Sequence, residues 1–355
     1  YGVGPIHGRN VIMTTTLQLG LAIGGGLVLA GVVAYNTWSA RKNAPKQPDP
    51  LPTPVEPSAP DAERRDPAFD SGELPPLPTP ERKPGMDALI DVLAPIALEH
   101  PVSGDAALAA MPPTRRVGSK PFAIEGLNVA SQQWETPLAG QRYSQLQAGV
   151  QLANRTGALN EIEFSEFVIK TQAYADTVSG LPEFPDMREE VARGRELDQF
   201  ANDHDAQLGF TLRAVHAAWS PGYVQQHAAR LGFVPSLIPG RMLLPSSTPG
   251  MPPILGLAFD AQAALAEDPD QSALREITLS LDVPQVDRAE QPFVRLRDTA
   301  AALADAMDGS LTDDRGYPLQ RDALDGIGAS LEQLYDTLDS RELAAGSVLA
   351  RRLFS

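Results

Sequence analysis

Cysteine is absent from all 355 residues, which removes disulfides and thiol chemistry and fits a reducing compartment. Charge is absent from a long stretch near the start: no Asp, Glu, Lys or Arg lies between Met13 and Arg41. A basic segment before this stretch and a small-residue cleavage site after it are both lacking, which argues against a removed signal peptide. Positive charge is in deficit. Residues 86–355 carry 21 basic and 37 acidic side chains, so the net charge of −16 resides there. An acidic body repels phosphate backbones and anionic headgroups, so neither nucleic acid nor a membrane-hugging body fits. Aromatics are nearly missing from 45–84, where Phe69 stands among 13 prolines. Such a stretch buries no core and reads as an extended spacer, on the order of 120 Å at full reach.

Catalytic signatures are also missing. No G-x-S-x-G, G-x-G-x-x-G or Walker loop occurs. The five histidines, His7, His100, His204, His216 and His227, form no ligand trio, and His216 and His227 read as surface or cap residues. "NDHD" (202–205) reads as a solvated helix end. No metal, cofactor or catalytic residue is assigned from these residues.

The uncharged stretch itself is informative. From 17 to 38, "LQLGLAIGGGLVLAGVVAYNTW" covers 22 residues, about 33 Å as a helix against a hydrocarbon core of about 30 Å. Tyr35 and Trp38 sit where an interfacial aromatic belt would lie. Arg41 and Lys42 follow, placing the N-terminus outside and the body in the cytoplasm. Gly20-x-x-x-Gly24 permits close helix pairing, so self-association stays open. Met13 is the more natural start, and residues 1–12 are given no function.

From Met86 the composition becomes globular. "ALIDVLAPIAL" (88–98), "KPFAIEGLN" (120–128) and "YSQLQAGVQLAN" (143–154) predict strands. In the last, Leu146, Ala148, Val150 and Leu152 oppose Gln145, Gln147 and Gln151. Ser103 or Asp105 caps a short helix. Residues 163–180 predict a helix with Phe164, Phe167, Ile169, Ala173 and Tyr174 on its apolar side and Gly180 at its end. Residues 185–205 predict another helix. The second half repeats this order: a strand at 206–215, a helix at 220–233 with Ser220 as cap and Pro221 first, strands at 240–245, 252–260 and 275–284, and helices at 291–309 and 319–343. The long helices match at an offset of 129, "ADxxxG" recurring at Ala175-Asp176…Gly180 and Ala304-Asp305…Gly309. The pattern points to an internal duplication of an antiparallel sheet with helices on one face.

The C-terminal half, through "VQQHAARLGF", "PPILGLAFD", "ITLSLDVPQ", "TAAALADAMDGSLTDD" and "LEQLYDTLDS", resembles the ZipA family of FtsZ-binding cell-division proteins. The resemblance covers about 206–340. It implies a membrane-anchored α+β protein: an N-terminal tail (1–16), a transmembrane helix (17–38), a proline-rich linker (39–85), a degenerate first ZipA-like unit (86–205), a second ZipA-like, FtsZ-binding unit (206–343) and a C-terminal tail (344–355). It further implies a single-pass inner-membrane protein of the division septum that holds the FtsZ C-terminal tail in a groove on the uncovered sheet face. Carried onto this chain, that groove comprises Gly209, Thr211, Arg213, Met242, Ala258, Thr278 and Ser280. The family usually presents a large aromatic where Ser280 stands and aliphatics where Gly209 and Thr211 stand, so either the tail binds differently, or Arg213 pairs with acidic residues of the tail, or the first unit carries the groove. The rival reading is a membrane-anchored scaffold of the same fold with a different protein partner.

Overall fold

The computed structural model describes residues 45–49, 85–266, 268, 272–313 and 316–355. The expected membrane segment, with Tyr35, Trp38, Arg41 and Lys42, lies outside the described residues, as does most of the proline-rich stretch. No helix among the described residues is long and apolar enough to cross a membrane.

Alternating side chains build the first sheet. Strands β1 (Asp91–Leu98), β2 (Lys120–Asn128) and β3 (Arg142–Gln151) are antiparallel, in the order β2–β3–β1. Arg116–Val117 flanks β2, and β4 (Gly180–Pro182) flanks β1. Val92, Ala94 and Ile96 share a face with Leu146, Ala148 and Val150, all buried. Helix α1 (Gly104–Ala109) starts where Ser103 accepts the Ala106 amide. Helix α2 (Glu161–Thr177) starts with a capping box in which Asn160 and Glu163 satisfy each other's exposed backbone donors.

Helix α2 buries Phe164, Phe167, Thr171, Tyr174 and Ala175 against this sheet. Phe122 and Phe167 meet edge to face at 6.1 Å. Ile169, expected on the apolar side, is 69 % exposed, and Ala173 is exposed too. Helical geometry explains this. The buried residues follow the i, i+3, i+7, i+10 stripe from Phe164, and positions i+5 and i+9 fall outside it. The helix also ends before Gly180. Ser179 takes the left-handed conformation (φ 54°), and Gly180 opens β4, where a Cβ would come within 2.6 Å of Ile96 Cγ2. Helix α3 (Met187–His204) follows, capped by Asp186.

The second sheet holds β5 (Gln207–Ala214), β6 (Val234–Pro235), β7 (Arg241–Leu244), β8 (Leu255–Ala258), β9 (Glu276–Asp282) and β10 (Gly309–Thr312). Their order is β6–β7–β8–β9–β5–β10, antiparallel throughout. Helix α4 (Pro221–Arg230) is capped by Ser220 and begins at proline, as expected. Helices α5 (Pro292–Met307) and α6 (Arg321–Ser340) complete the layer. Phe210, Leu212, Ile277, Leu279 and Leu281 from the sheet pack with Leu296, Ala300, Leu303 and Met307 from α5.

The two sheets place their parts alike. The opening strand (β1, β5) lies between the strand before the long helix (β3, β9) and the short strand after it (β4, β10). Leu98 faces Gly180, and Ala214 faces Gly309. Both long helices finish on a left-handed non-glycine residue, Ser179 and Asp308 (φ 56°).

Residues 344–355, expected as a tail, are part of the core. Helix α7 (Val348–Leu353) and the residue after it bury Ala350, Leu353 and Phe354 completely. Arg352 reaches Asp91 at 2.9 Å, and Gln285 donates to the Phe354 carbonyl at 2.7 Å. Gln151, expected on the solvent face with Gln145 and Gln147, is 1 % exposed, because α7 covers its end of β3. Its amide donates to the Arg352 carbonyl at 2.8 Å. Arg155 forks between Asp205 at 2.6 Å and Asp282 at 2.7 Å, a second tie between the two sheets.

The expected free linker also departs from expectation at its start. Residues 45–49 lie against α4 and the end of α5, with Lys46 paired to Trp219.

Candidate functional site

Helices cover one face of each sheet and leave the other open. On β5, odd residues face out: Gly209, Thr211 and Arg213 alternate with core residues Phe210 and Leu212. The register aligns three cross-strand rows on this face. Leu243, Gly256, Ser280 and Gly209 form the first. Arg241, Ala258, Thr278, Thr211 and Thr312 form the second. Glu276, Arg213 and Ser310 form the third.

Six of the seven predicted groove residues therefore share the open face: Gly209, Thr211, Arg213, Ala258, Thr278 and Ser280. Met242 does not. It is 2 % exposed, pairs with Leu257 on the core face, and leaves Arg241 and Leu243 as the outward residues of β7. Strand alternation is the reason, since Met242 and Ala258 cannot share a face when Arg241 is opposite Ala258.

The open face is shallow and polar. Nothing lies within 4 Å of where a Cβ on Gly209 would sit, and a Cβ on Gly256 would meet Ser280 Oγ at 2.7 Å. Small residues thus form a bare floor along the first row. A depression of about 360 Å³ lies at one end, beside Gly209, Ser280 and Asp282. Another of about 400 Å³ lies at the other, beside Ala258, Glu276 and Thr278. Arg213 reaches Glu276 at 3.4 Å and stays half exposed. Backbone groups, hydroxyls and the two arginines Arg213 and Arg241 are what this face offers a partner, with little apolar area.

The open face of the first sheet differs. Leu93 and Ala123 flank Gly149, Pro95 flanks Gln147, and Leu127 faces Gln145. Ala97 faces Leu181, which is 75 % exposed. The Met86 thioether lies directly over Gly149, where a Cβ would approach it to 2.2 Å. Sequence reasoning missed this apolar surface, because "DVLAPIAL" is apolar on both faces and hides which residues point out.

The histidines divide. His216 is exposed and bonds Asp308 at 2.8 Å. His227 is buried rather than at the surface, with its ring 4.4 Å from that of Tyr223, and burial pushes its imidazole below the ordinary value. His204 ends α3, as expected.

A cleft of about 410 Å³ lies on the opposite, helical side, between Phe293 of α5 and Leu324, Leu331 and Tyr335 of α6. Arg288 closes one end by pairing with Asp336 at 2.9 Å. The cleft is remote from both open faces and takes no part in the reading below.

An antiparallel sheet with helices on one face and a long, shallow surface on the other suits another polypeptide better than a small substrate. Residues 265–329 match the family model described as ZipA, C-terminal FtsZ-binding domain. The resemblance to the ZipA family read from the C-terminal half is borne out over that segment, which runs from before β9 into α6. No curated protein matches the chain.

Proposed function

We propose that the chain binds the C-terminal tail of FtsZ on an open sheet face. The apolar run 17–38 then holds it at the cytoplasmic membrane of the division septum, N-terminus in the periplasm and folded body in the cytoplasm. The family match over 265–329 carries this reading, since the segment includes Thr278 and Ser280 of the open face. The first sheet and its helices are a degenerate unit of the same plan, a tandem copy supported by the shared strand order and helix endings. The protein acts by binding and not by catalysis.

The polar floor of the second sheet implies modest affinity, because desolvated apolar anchors carry most peptide binding. Arg213 supplies charge to an acidic tail, and many copies along one polymer multiply the weak contact by effective concentration. Titrating the purified chain with FtsZ tail peptide should give saturable binding. Absence of saturation, beside a control protein that binds, overturns the reading. Arg213→Glu should weaken binding by about five- to tenfold.

A second reading puts the tail on the first sheet, favoured by the apolar row Leu93, Pro95, Ala97, Leu127 and Leu181. The same titration separates the two. If Leu181→Asp abolishes binding while Arg213→Glu leaves it unchanged, the tail lies on the first sheet.

A further inference from the structure

We propose that residues 45–49 are a strap docked in cis on α4, so that residues 50–84 form a closed loop and do not set the reach of the body. The strap has two fixed points. At the first, the Lys46 amide donates to the Ala218 carbonyl at 2.6 Å, and the Ser220 amide donates to the Lys46 carbonyl at 2.9 Å. Lys46 thereby adds as a parallel partner to Trp219, whose other edge pairs with Leu274. The Lys46 ammonium donates to the Met307 carbonyl at 3.0 Å and lies 3.7 Å from the Asp308 carboxylate. That is the C-terminal end of α5, where the helix dipole is negative and a cation is favoured. Trp219 Nε1 donates to the same carbonyl at 2.8 Å.

At the second point, the Asp49 amide donates to Gln226 Oε1 at 2.8 Å, and Gln226 Nε2 donates back to the Asp49 carbonyl at 2.9 Å. The Gln226 amide thus acts as a piece of strand edge. The Asp49 carboxylate takes a further bond from Arg230 Nη2 at 2.9 Å. Backbone bonds hold the segment, and opposite charges fix its register, Lys46 against the end of α5 and Asp49 against Arg230 at the end of α4. Pro45 and Pro48 restrict the chain to the extended shape this requires and lower the entropy lost on docking. At the far end of the loop, the Met86 amide donates to Glu125 Oε1 at 2.8 Å on the first sheet.

The consequence for reach rests on the membrane-anchor reading; the strap does not. With the strap docked, residues 39–44 alone separate the run 17–38 from the body. Six residues span on the order of 20 Å, against the ~120 Å of a free proline-rich spacer. The body would then be held beside the bilayer by its short tether, against the repulsion its acidic surface meets at anionic headgroups, and its two sheets would be presented to a partner from a fixed side.

Two measurements on the full chain test this, comparing wild type with the double variant Lys46→Glu/Asp49→Arg. Hydrogen exchange at the Lys46 and Ser220 amides should be about tenfold or more slower in the wild type. Equal exchange in the two overturns the strap, with or without a membrane. In vesicles, a fluorophore on Ser340→Cys in this otherwise cysteine-free chain should keep its distance from a bilayer quencher when 50–84 is roughly doubled in length, and move away in the double variant. A wild-type distance that grows with the insertion overturns the closed loop. A chain that does not associate with vesicles overturns the anchor, and the exchange result then decides the strap.

Discussion

Truncation after Ser347 is expected to lower stability by at least about 5 kcal/mol and to loosen both sheets together. Leu353 and Phe354 are fully buried, and deleting side chains of this size from a packed core costs about 2–5 kcal/mol each. The truncation also strips Arg352 from Asp91, a carboxylate only 1 % exposed. Leaving one partner of a buried ion pair alone costs about 3–5 kcal/mol. Gln285 loses both of its carbonyl acceptors at the same time, and Gln151 loses that of Arg352 while keeping that of Ala153. These losses share neighbours and do not sum, but a domain's whole stability is only about 5–15 kcal/mol. A single early melting transition of the truncated chain is the expected result, and an unchanged midpoint would show that α7 is an ornament. The charge contribution can be isolated. Arg352→Ala alone should destabilise more than Arg352→Ala combined with Asp91→Asn, because the second change removes the stranded charge.

This dependence on the last residues explains what was readable in the sequence. Local signals were. Ser103 and Ser220 cap helices where their spacing placed them, and Pro221 begins α4. The resemblance named Gly209, Thr211, Arg213, Thr278 and Ser280 together, and the alternation of β5 and β9 is the reason they share one face. Non-local contacts were not readable. Gln151 looks outward until α7 arrives from two hundred residues away, and nothing in "PKQPD" announces that Trp219 will receive it. Met242 failed for a different reason. "RMLL" has apolar residues at three successive positions, so its parity is undefined until Arg241 is registered against Ala258. The open face of the first sheet was hidden in the same way by "DVLAPIAL". Short apolar strands carry their burial in their partners, and a single sequence does not display the partners.

Trp219→Ala is expected to cost about 3–5 kcal/mol and to release residues 45–49. The side chain is fully buried, and its removal leaves a cavity beneath Gly309, where a Cβ would already approach Trp219 Cζ2 to 3.2 Å. Its backbone lies between Lys46 and Leu274, so a shift there disturbs both pairings. Two smaller changes separate packing from hydrogen bonding. Trp219→Phe keeps most of the apolar volume and removes the Nε1 donor. The Met307 carbonyl retains the Lys46 ammonium, so the lost bond itself should cost about 1 kcal/mol. Adding Lys46→Ala to Trp219→Phe leaves that carbonyl with neither side-chain donor, and the pair should then lose more than the sum of the singles, by about 0.5–3 kcal/mol. Denaturant titration of the four proteins measures this directly. Strict additivity would mean that tryptophan and lysine do not share the end of α5, and the strap would then rest on its backbone bonds and Asp49 alone.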